Sequence, residues 1–415
     1  MKKKLALQVI IKLIAVAIGI ISSRWLNEYL SSDQRSLFTS VSAVAIFVVG
    51  IIEFGLPRLI QKYFTNIHNQ QQIGHYWSTM WLLRLFSLVL AIPVLLVSNS
   101  LFKINDFWLL LSLFLTQFIL ISDQNFRGLL DAKGKGFVFS ITDLVGKLTL
   151  ITGLYFLVGR LLEQFGGQTG IWTFVWSAGI GYGLSLLLDW FLTRKIVWFK
   201  SPKWSIIKDN YQQIGLLTVA SLVATTYVRT DVLYLNWFGA SGDTLNGYDN
   251  AFKLYEVATV APGVLIPTVA SQLKKLIDQA KTTIEKKKLI QKYLILSGFF
   301  GLGCTSAVWI LGNLGLWLTG ASSRYPLASQ YLPILAVSLL FFPGVILVSN
   351  LFIFFGREKL ETQSVIAVAI FSVVTYSILV SNFGGLGASW ANVSLLCFDL
   401  CAKLFLFWKY IWQKI

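Results

Sequence analysis

The sequence predicts an all-α integral membrane protein with twelve transmembrane helices in two halves of six and with both termini in the cytoplasm. Three observations predict this fold class. The chain of 415 residues is 55% hydrophobic and only 13% charged, with a mean hydropathy of +0.68, whereas a soluble chain is about 25% charged. Its apolar residues form long unbroken runs, unlike the alternating strands of a membrane β-barrel. Its basic residues lie mostly in alternate loops.

Each apolar run is long enough to cross a hydrocarbon core, which needs about 20 helical residues. The twelve predicted spans are 5–23, 37–57, 76–98, 107–123, 137–159, 171–192, 214–236, 248–271, 290–312, 330–355, 360–381 and 387–411. The first run follows three lysines, as the apolar part of a secretory signal would. Because eleven further spans follow it, we interpret it as an uncleaved first helix.

The distribution of basic residues sets the predicted orientation. If the N-terminus is cytoplasmic and the spans alternate, most of the 35 Lys and Arg residues fall on the cytoplasmic side. One miscounted span would move the later basic loops to the wrong side. The net charge of +16 therefore reflects topology and membrane lipid as a partner, and it does not indicate a nucleic-acid-binding protein.

The longest polar connections suggest how the chain is organised. We predict an N-terminal six-helix bundle over 1–195, a cytoplasmic connector over 196–213 and a C-terminal six-helix bundle over 214–415. Two six-span halves are a common transporter design. A second connection, around 272–289, is predicted to be a basic helix that lies on the inner leaflet.

The residues that most enzymes need are scarce in this sequence. Three Cys and two His do not supply a plausible metal cage, and no P-loop motif is present. We therefore expect no metal, no cofactor and no enzymatic activity. The run Gly179-x-Gly181-x-Gly183 in span six is predicted to be a close helix contact rather than a ligand-binding loop.

Charged residues inside the spans are the candidates for function, since they are costly in a membrane and usually face a cavity or a partner. In span five, Asp143 and Lys147 are four residues apart and therefore share a helix face. They could neutralise each other, or Lys147, near the membrane midplane, could meet an anionic substrate. The sequence leaves both interpretations open.

Spans seven and eight carry a second set of charges in their outer halves. Arg229 and Asp231 are two residues apart on different faces, so at least one of them needs another partner. Lys253 has helical spacing to both Asp249 and Glu256. We predict a network that links Arg229, Asp231, Lys253 and Glu256, and it would serve as a gate, a substrate site, an ion site or scaffolding.

Other intramembrane charges lie in the first half. Lys12 and Arg84 could extend to the inner interface or line a cavity, and Glu53 lies near the inner end of span two. Four more charged residues are interpreted as mostly structural: Asp189, Lys292, Asp399 and Lys403.

Two stretches carry a resemblance to a known family. The first is Ile52-Glu53-Phe54-Gly55-Leu56-Pro57-Arg58-Leu59-Ile60; the second combines Arg229-Thr230-Asp231 with Gly247-Tyr248-Asp249-Asn250-Ala251-Phe252-Lys253-Leu254 and Ile266-Pro267. With these motifs and its span count, the chain resembles the polysaccharide-exporter branch of the multidrug/oligosaccharidyl-lipid/polysaccharide (MOP) superfamily, which includes the O-antigen-type flippases. The resemblance implies two six-helix bundles around a central cavity, in the plasma membrane.

The resemblance also implies a substrate, a polyprenyl diphosphate that bears an oligosaccharide. A diphosphate crossing hydrocarbon needs cations. The expected phosphate contacts are Arg229, Lys147, Lys253 and Lys12. The residues expected to position them, or to couple transport to a gradient of H⁺ or Na⁺, are Asp231, Asp143, Glu256 and Glu53. A polysaccharide polymerase is one partner that such a role would involve.

Two other functions compete with this hypothesis. An ion-coupled exporter of small drugs or metabolites would have a mainly acidic and apolar cavity, with Asp143 or Asp231 as its coupling carboxylate. A membrane-embedded enzyme would need a catalytic carboxylate on a sizeable outer loop, and the predicted topology gives no loop that is large enough.

Overall fold

The computed structural model describes residues 2–413 except 54, 58, 61–63, 65–69, 103, 105, 134, 166–168, 195, 209–214, 216–218 and 220–228. Side chains are also outside the description at 2–10, 12, 13, 70, 136, 156–165, 169, 264 and 268. Within the described residues the chain is helical and contains no β-strand. By packing it divides into two units, Met1–Leu233 and Tyr234–Ile415.

The first unit begins with six long helices. They are α1 (Lys2–Tyr29), α2 (Ser32–Ile52), α3 (Gln70–Leu101), α4 (Phe107–Ala132), α5 (Gly136–Phe165) and α6 (Thr169–Thr193). They correspond to the first six predicted spans, and several extend a few turns further than predicted. Helix α5 packs on α1 and α6, and α4 packs on α2 and α6.

The residues in the turn between α1 and α2 explain why a new helix begins there. Ser31 has an extended backbone, and its hydroxyl accepts a hydrogen bond from Gln34 N at 3.2 Å. The Gln34 side chain accepts one from Ser31 N at 3.1 Å. This capping box satisfies two amide groups that a helix start would otherwise leave without partners.

The chain after α6 has no regular secondary structure over 197–203 and docks on α3. Lys200 N donates to Ser78 Oγ at 2.9 Å, and Lys203 N donates to Thr79 Oγ1 at 3.0 Å. His75 Nδ1 lies 2.7 Å from the carbonyl oxygen of Ser201. The start of the predicted connector 196–213 is therefore held on the first unit, and its last residues lie outside the described part of the chain. The predicted limits of the two bundles stay a prediction.

The short helix α7 (Thr230–Trp237) crosses the division between the units. The second unit continues with α8 (Gly242–Gln279), α9 (Thr283–Leu318), α10 (Ala321–Arg324), α11 (Ala328–Val337), a 3₁₀ turn (Ser338–Leu340), α12 (Phe342–Phe354) and α13 (Glu358–Phe407). A π turn over Trp408–Trp412 follows α13. Most of predicted span seven lies outside the described residues.

The predicted inner-leaflet helix around 272–289 has a different form. Helix α8 extends to Gln279, and α9 begins at Thr283 with a second capping box, in which Glu285 N donates to Thr282 Oγ1 at 3.2 Å. The basic residues thus lie on two helix ends joined by a tight turn. The sequence favours a helix on both sides of this stretch, and only the residues from Ala280 to Thr282 separate the two helices.

Helix α13 contains two predicted spans that meet at Gly384. The backbone of Gly384 has φ 53° and ψ −127°, which is not helical. In a continuous helix Leu379 and Gly387 would be about 12 Å apart along the axis. A β-carbon on Gly387 would instead collide with the Leu379 carbonyl oxygen. The chain therefore reverses at Gly384, in the gap between the predicted spans 360–381 and 387–411.

Nine segments of the described residues are long and apolar enough to cross a membrane, and one of them, Glu358–Trp412, includes this reversal. They confirm an all-helical, multi-pass membrane protein. The number of twelve spans and the cytoplasmic termini stay predictions.

Candidate functional site

Helix α5 carries the first pair of intramembrane charges. Lys147 Nζ lies 3.1 Å from Asp143 Oδ2, and the two side chains are 34% and 27% exposed. The shared helix face predicted from their spacing is confirmed. Of the two interpretations that the sequence left open, the structure contains the ion pair.

Helix α8 holds the second pair. Lys253 Nζ lies 2.9 Å from Asp249 Oδ2, and Asp249 is buried while Lys253 is 27% exposed. Asp249 is therefore a charged partner of Lys253 on its own helix, in line with the predicted helical spacing. Glu256, one turn further, is half-buried.

Arg229 and Asp231 lie at the start of α7. Arg229 is 9% exposed and has φ 87°, a conformation that a long side chain rarely adopts. Asp231 is fully buried in the first turn of α7, and its Oδ1 accepts a hydrogen bond from Val232 N at 2.7 Å. A strained, buried arginine next to a buried carboxylate is a feature that often marks a functional site.

The predicted network of four charges on spans seven and eight stays a prediction. Arg229 and Asp231 belong to the first unit, and Lys253 and Glu256 belong to the second. Two of the remaining candidates are only partly described. Lys12 lies in α1, but its side chain is outside the described residues, and Glu53 is half-buried at the C-terminal cap of α2.

The structure corrects the expectation for Arg84. This side chain neither extends to the interface nor lies exposed in a cavity, because it is fully buried. Its Nη2 donates to Asn125 Oδ1 at 3.1 Å and to the Ile121 carbonyl oxygen at 3.4 Å. Arg84 thus joins α3 to α4, with Glu53 close enough to interact electrostatically.

Sequence reasoning missed a buried carboxyl pair in the first unit. Asp123 on α4 and Asp189 on α6 are 2% and 0% exposed. Ser185 Oγ donates to Asp123 Oδ2 at 2.9 Å, and Thr142 Oγ1 donates to Asp189 Oδ1 at 2.8 Å. Asp123 is the last residue of predicted span four, 107–123, but α4 continues to Ala132.

A second missed cluster lies in the second unit. Lys403 Nζ lies 2.9 Å from Asp399 Oδ1 and 3.3 Å from Glu361 Oε1, and Ser349 Oγ donates to Glu361 Oε1 at 3.0 Å. Lys403 and Asp399 are buried. The i,i+4 spacing of Asp399 and Lys403 was a usable signal for half of this cluster. The contact with Glu361 depends on how the chain reverses at Gly384. The spacing of residues along one helix does not predict such a contact.

An open groove of ≈ 400 Å³ lies between α5 and α6. Its lining is mostly apolar, with hydroxyls from Thr149, Thr152 and Ser177. Within the described residues, no group of three or more His, Cys, Asp or Glu side chains could hold a metal ion.

The sequence matches no family model and no curated protein. The fold, by contrast, is similar to that of solved transporters. One is a multidrug resistance MATE family transporter of the MOP superfamily in an inward-facing conformation, with a TM-score of 0.73 and 13% identity over 96% of this chain and 95% of that chain. Another is the lipid II flippase MurJ in an inward closed conformation, with a TM-score of 0.75 and 15% identity over 96% of this chain and 87% of that chain.

A third similar structure is a MOP superfamily transporter from Pyrococcus furiosus Vc1, with a TM-score of 0.62 and 13% identity over 97% of this chain and 92% of that chain. Identities this low establish the fold alone. The chain is thus a multi-pass membrane protein with the fold of MOP superfamily transporters. Its structural neighbours are transporters and a flippase, and the expectation that this chain is not an enzyme stays a prediction.

Proposed function

We propose that this protein is a flippase that moves a polyprenyl-diphosphate-linked oligosaccharide across the plasma membrane by alternating access, for the biosynthesis of cell-surface polysaccharide. The observation that carries the proposal is the placement of Arg229, a buried arginine in a strained backbone conformation. The fold supports a lipid-linked substrate, since one structural neighbour is a lipid II flippase.

The chemistry of a diphosphate explains why such an arginine would be kept. A phosphate group is costly in hydrocarbon and needs charge-assisted hydrogen bonds. The planar guanidinium of Arg229 offers parallel N–H donors that fit two phosphate oxygens, which a lysine ammonium cannot do. A backbone conformation that costs about 1–3 kcal/mol persists where it positions a functional group.

Three lysines complete the proposed phosphate contacts: Lys147, Lys253 and Lys12. Asp143 and Asp249 hold two of them through ion pairs at 3.1 and 2.9 Å. In the proposal these carboxylates hold the lysines in position until phosphate competes for them. Asp231, Asp143, Glu256 and Glu53 are the proposed supporting residues, and a gradient of H⁺ or Na⁺ is the proposed energy source.

The same ion pairs favour a second candidate function. Because Lys147 and Lys253 each have a carboxylate partner, the two pairs add no net positive charge. Without net positive charge, these pairs do not favour an anionic substrate, and an ion-coupled exporter of small drugs or metabolites does not need such a substrate. A multidrug transporter is among the structural neighbours.

Cells that lack this protein provide the test. We would measure which leaflet holds the polyprenyl-diphosphate oligosaccharide, using an impermeant reagent that modifies exposed sugars. The complementing variants are wild type, Arg229→Lys, Arg229→Ala and a control, Arg24→Ala, which removes an arginine that is about half exposed and paired with Glu28.

We expect substrate to accumulate in the cytoplasmic leaflet without the protein. Wild type and Arg24→Ala should restore transfer, Arg229→Lys should restore it in part, and Arg229→Ala should fail at equal expression. Full restoration by Arg229→Ala would remove Arg229 from the site. A normal leaflet distribution without the protein would contradict the flippase and favour the small-molecule exporter.

A further inference from the structure

Within the described residues, no ion pair gives the buried carboxyl pair of the first unit a counter-charge. Asp123 and Asp189 come from different helices, and both are buried. Ser185, which donates to Asp123 Oδ2 at 2.9 Å, lies one turn before Asp189 on the same face of α6, so the two carboxyls lie next to each other and interact. Two carboxylate oxygens do not bond to each other unless a proton lies between them. Among the described residues, no donor reaches Asp123 Oδ1 or Asp189 Oδ2, although both atoms are buried.

The charged groups around the pair do not neutralise it. Arg84, on α3, contacts α4 through Ile121 and Asn125, two residues before and two after Asp123. Residues two apart on a helix point to different faces, so the guanidinium lies on the other side of α4. No ion pair within the described part of the chain joins Arg84 to either carboxyl.

Helix α5, which packs against both carboxyl-bearing helices, adds a negative charge. Asp143 interacts electrostatically with Asp123 and Asp189. Its own partner is Lys147, at 3.1 Å. The other contribution from α5 is the Thr142 hydroxyl, which is neutral. Two carboxylates at contact distance in a low-dielectric interior repel strongly, and one of them holds a proton in such sites.

The second unit provides an internal comparison. In both units the cluster joins the fourth, fifth and sixth predicted spans of that half. Asp189 lies one turn before the end of α6, and Lys403 lies one turn before the end of α13. Ser185 and Asp399 each lie four residues before them.

The charges at these matching positions differ between the two units. In the second unit the Lys403 ammonium lies between two carboxylates and balances them. In the first unit an aspartate occupies the position of the lysine, so two carboxylates meet without an ammonium.

We propose that Asp123 and Asp189 share one proton, which takes the place that the lysine ammonium occupies in the second unit, and that this proton joins α4 to α6. Ser185 and Thr142 then donate to the outer oxygens, and the shared O–H···O⁻ bond supplies the remaining donor. Separation of α4 from α6 would expose both groups to water, where carboxyls ionise at neutral pH. Proton release is thus tied to movement of these helices, whatever substrate is carried.

Infrared spectroscopy of the full chain in lipid nanodiscs tests this proposal. A protonated carboxyl has a C=O stretch that a carboxylate lacks. The variants are Asp123→Asn, Asp189→Asn and the control Asp131→Asn, which changes a carboxylate on α4 that lies 3.6 Å from Arg127 Nε. An Asn amide can donate to the remaining carboxylate, so each of the first two variants imitates the shared proton and should fold.

We expect wild type and Asp131→Asn to show the protonated-carboxyl band at neutral pH, and both Asp123→Asn and Asp189→Asn to lose it. Absence of the band from wild type, or its persistence in both variants, would overturn the proposal. Loss of the band on addition of Na⁺ at constant pH would also overturn it, because a metal cation would then be the preferred ligand.

A second measurement does not depend on the infrared band. The apparent Tm of wild type should fall as pH rises, since the folded state binds one more proton than the unfolded state. Asp189→Asn has no proton to lose at this position, so its Tm should depend less on pH. Equal pH dependence of the two proteins would contradict a shared proton.

Discussion

Gly146 and Gly181 bring α5 and α6 so close together that a β-carbon on either residue would collide with the carbonyl oxygen of the other. This confirms the close helix contact predicted from the glycine run in span six. The approach is backbone on backbone, so no flexible side chain can move aside to make room.

Substituting Gly181 with Ala should therefore destabilise the first unit. The added methyl group has to push the helices apart, and such overpacking costs roughly 1–3 kcal/mol. Thermal denaturation in detergent micelles would measure the loss as a lower Tm. Gly183→Ala is the matched control, since a β-carbon there meets nothing within 4 Å. An equal Tm for the two variants would disprove the close crossing.

Replacing Lys403 with Met should destabilise the second unit severely. It leaves the buried carboxylate of Asp399 and that of Glu361 without their cation, and such a loss costs about 3–5 kcal/mol. The exposed Lys409, changed to Met as a control, should shift stability by less than about 0.5 kcal/mol. Adding Glu361→Gln and Asp399→Asn to Lys403→Met should recover part of the lost Tm. No recovery would mean that lost packing, and not unbalanced charge, causes the defect.

At position 229, glycine should be more stable than alanine. Both substitutions remove the guanidinium, but only glycine adopts φ 87° without the penalty of about 1–2 kcal/mol that a β-carbon brings in this region. The control is Arg24, which lies within α1, where glycine should be less stable than alanine. Comparing Tm for the four variants checks the prediction, and the same order at both positions would contradict the strained backbone.

The turn between α8 and α9 should depend on its capping box. Thr282→Ala removes the oxygen that accepts a hydrogen bond from Glu285 N, which typically costs about 1 kcal/mol. Hydrogen exchange should become faster in the first turn of α9. Thr283→Ala, one residue further along and also exposed, should leave exchange there nearly unchanged.

Much of the fold could be predicted from the sequence because membrane spans follow from local composition. The nine described spans begin or end within a few turns of the apolar runs, and Gly384 marks the reversal in α13. The ends of helices were harder to predict, since the helices continue into polar sequence beyond the membrane. This error placed Asp123 at a span end when α4 continues for more than two further turns.

The candidate site could be predicted only where partners are neighbours on one helix. The pairs Asp143–Lys147 and Asp249–Lys253 follow from helical spacing alone. The contact between Asp123 and Asp189 could not be predicted, because it depends on which faces of α4 and α6 meet. The spacing of residues along one helix does not indicate which faces of two helices meet.

The most direct test of lipid-linked transport is reconstitution of the purified full chain into liposomes. A polyprenyl-diphosphate oligosaccharide would be placed in the outer leaflet, and an added impermeant glycosidase would report how much remains accessible. The account predicts a protected fraction that grows with time and is absent from protein-free liposomes. Complete digestion of the oligosaccharide at all times would contradict it, if the same liposomes accumulate a small cationic drug and the protein is therefore active.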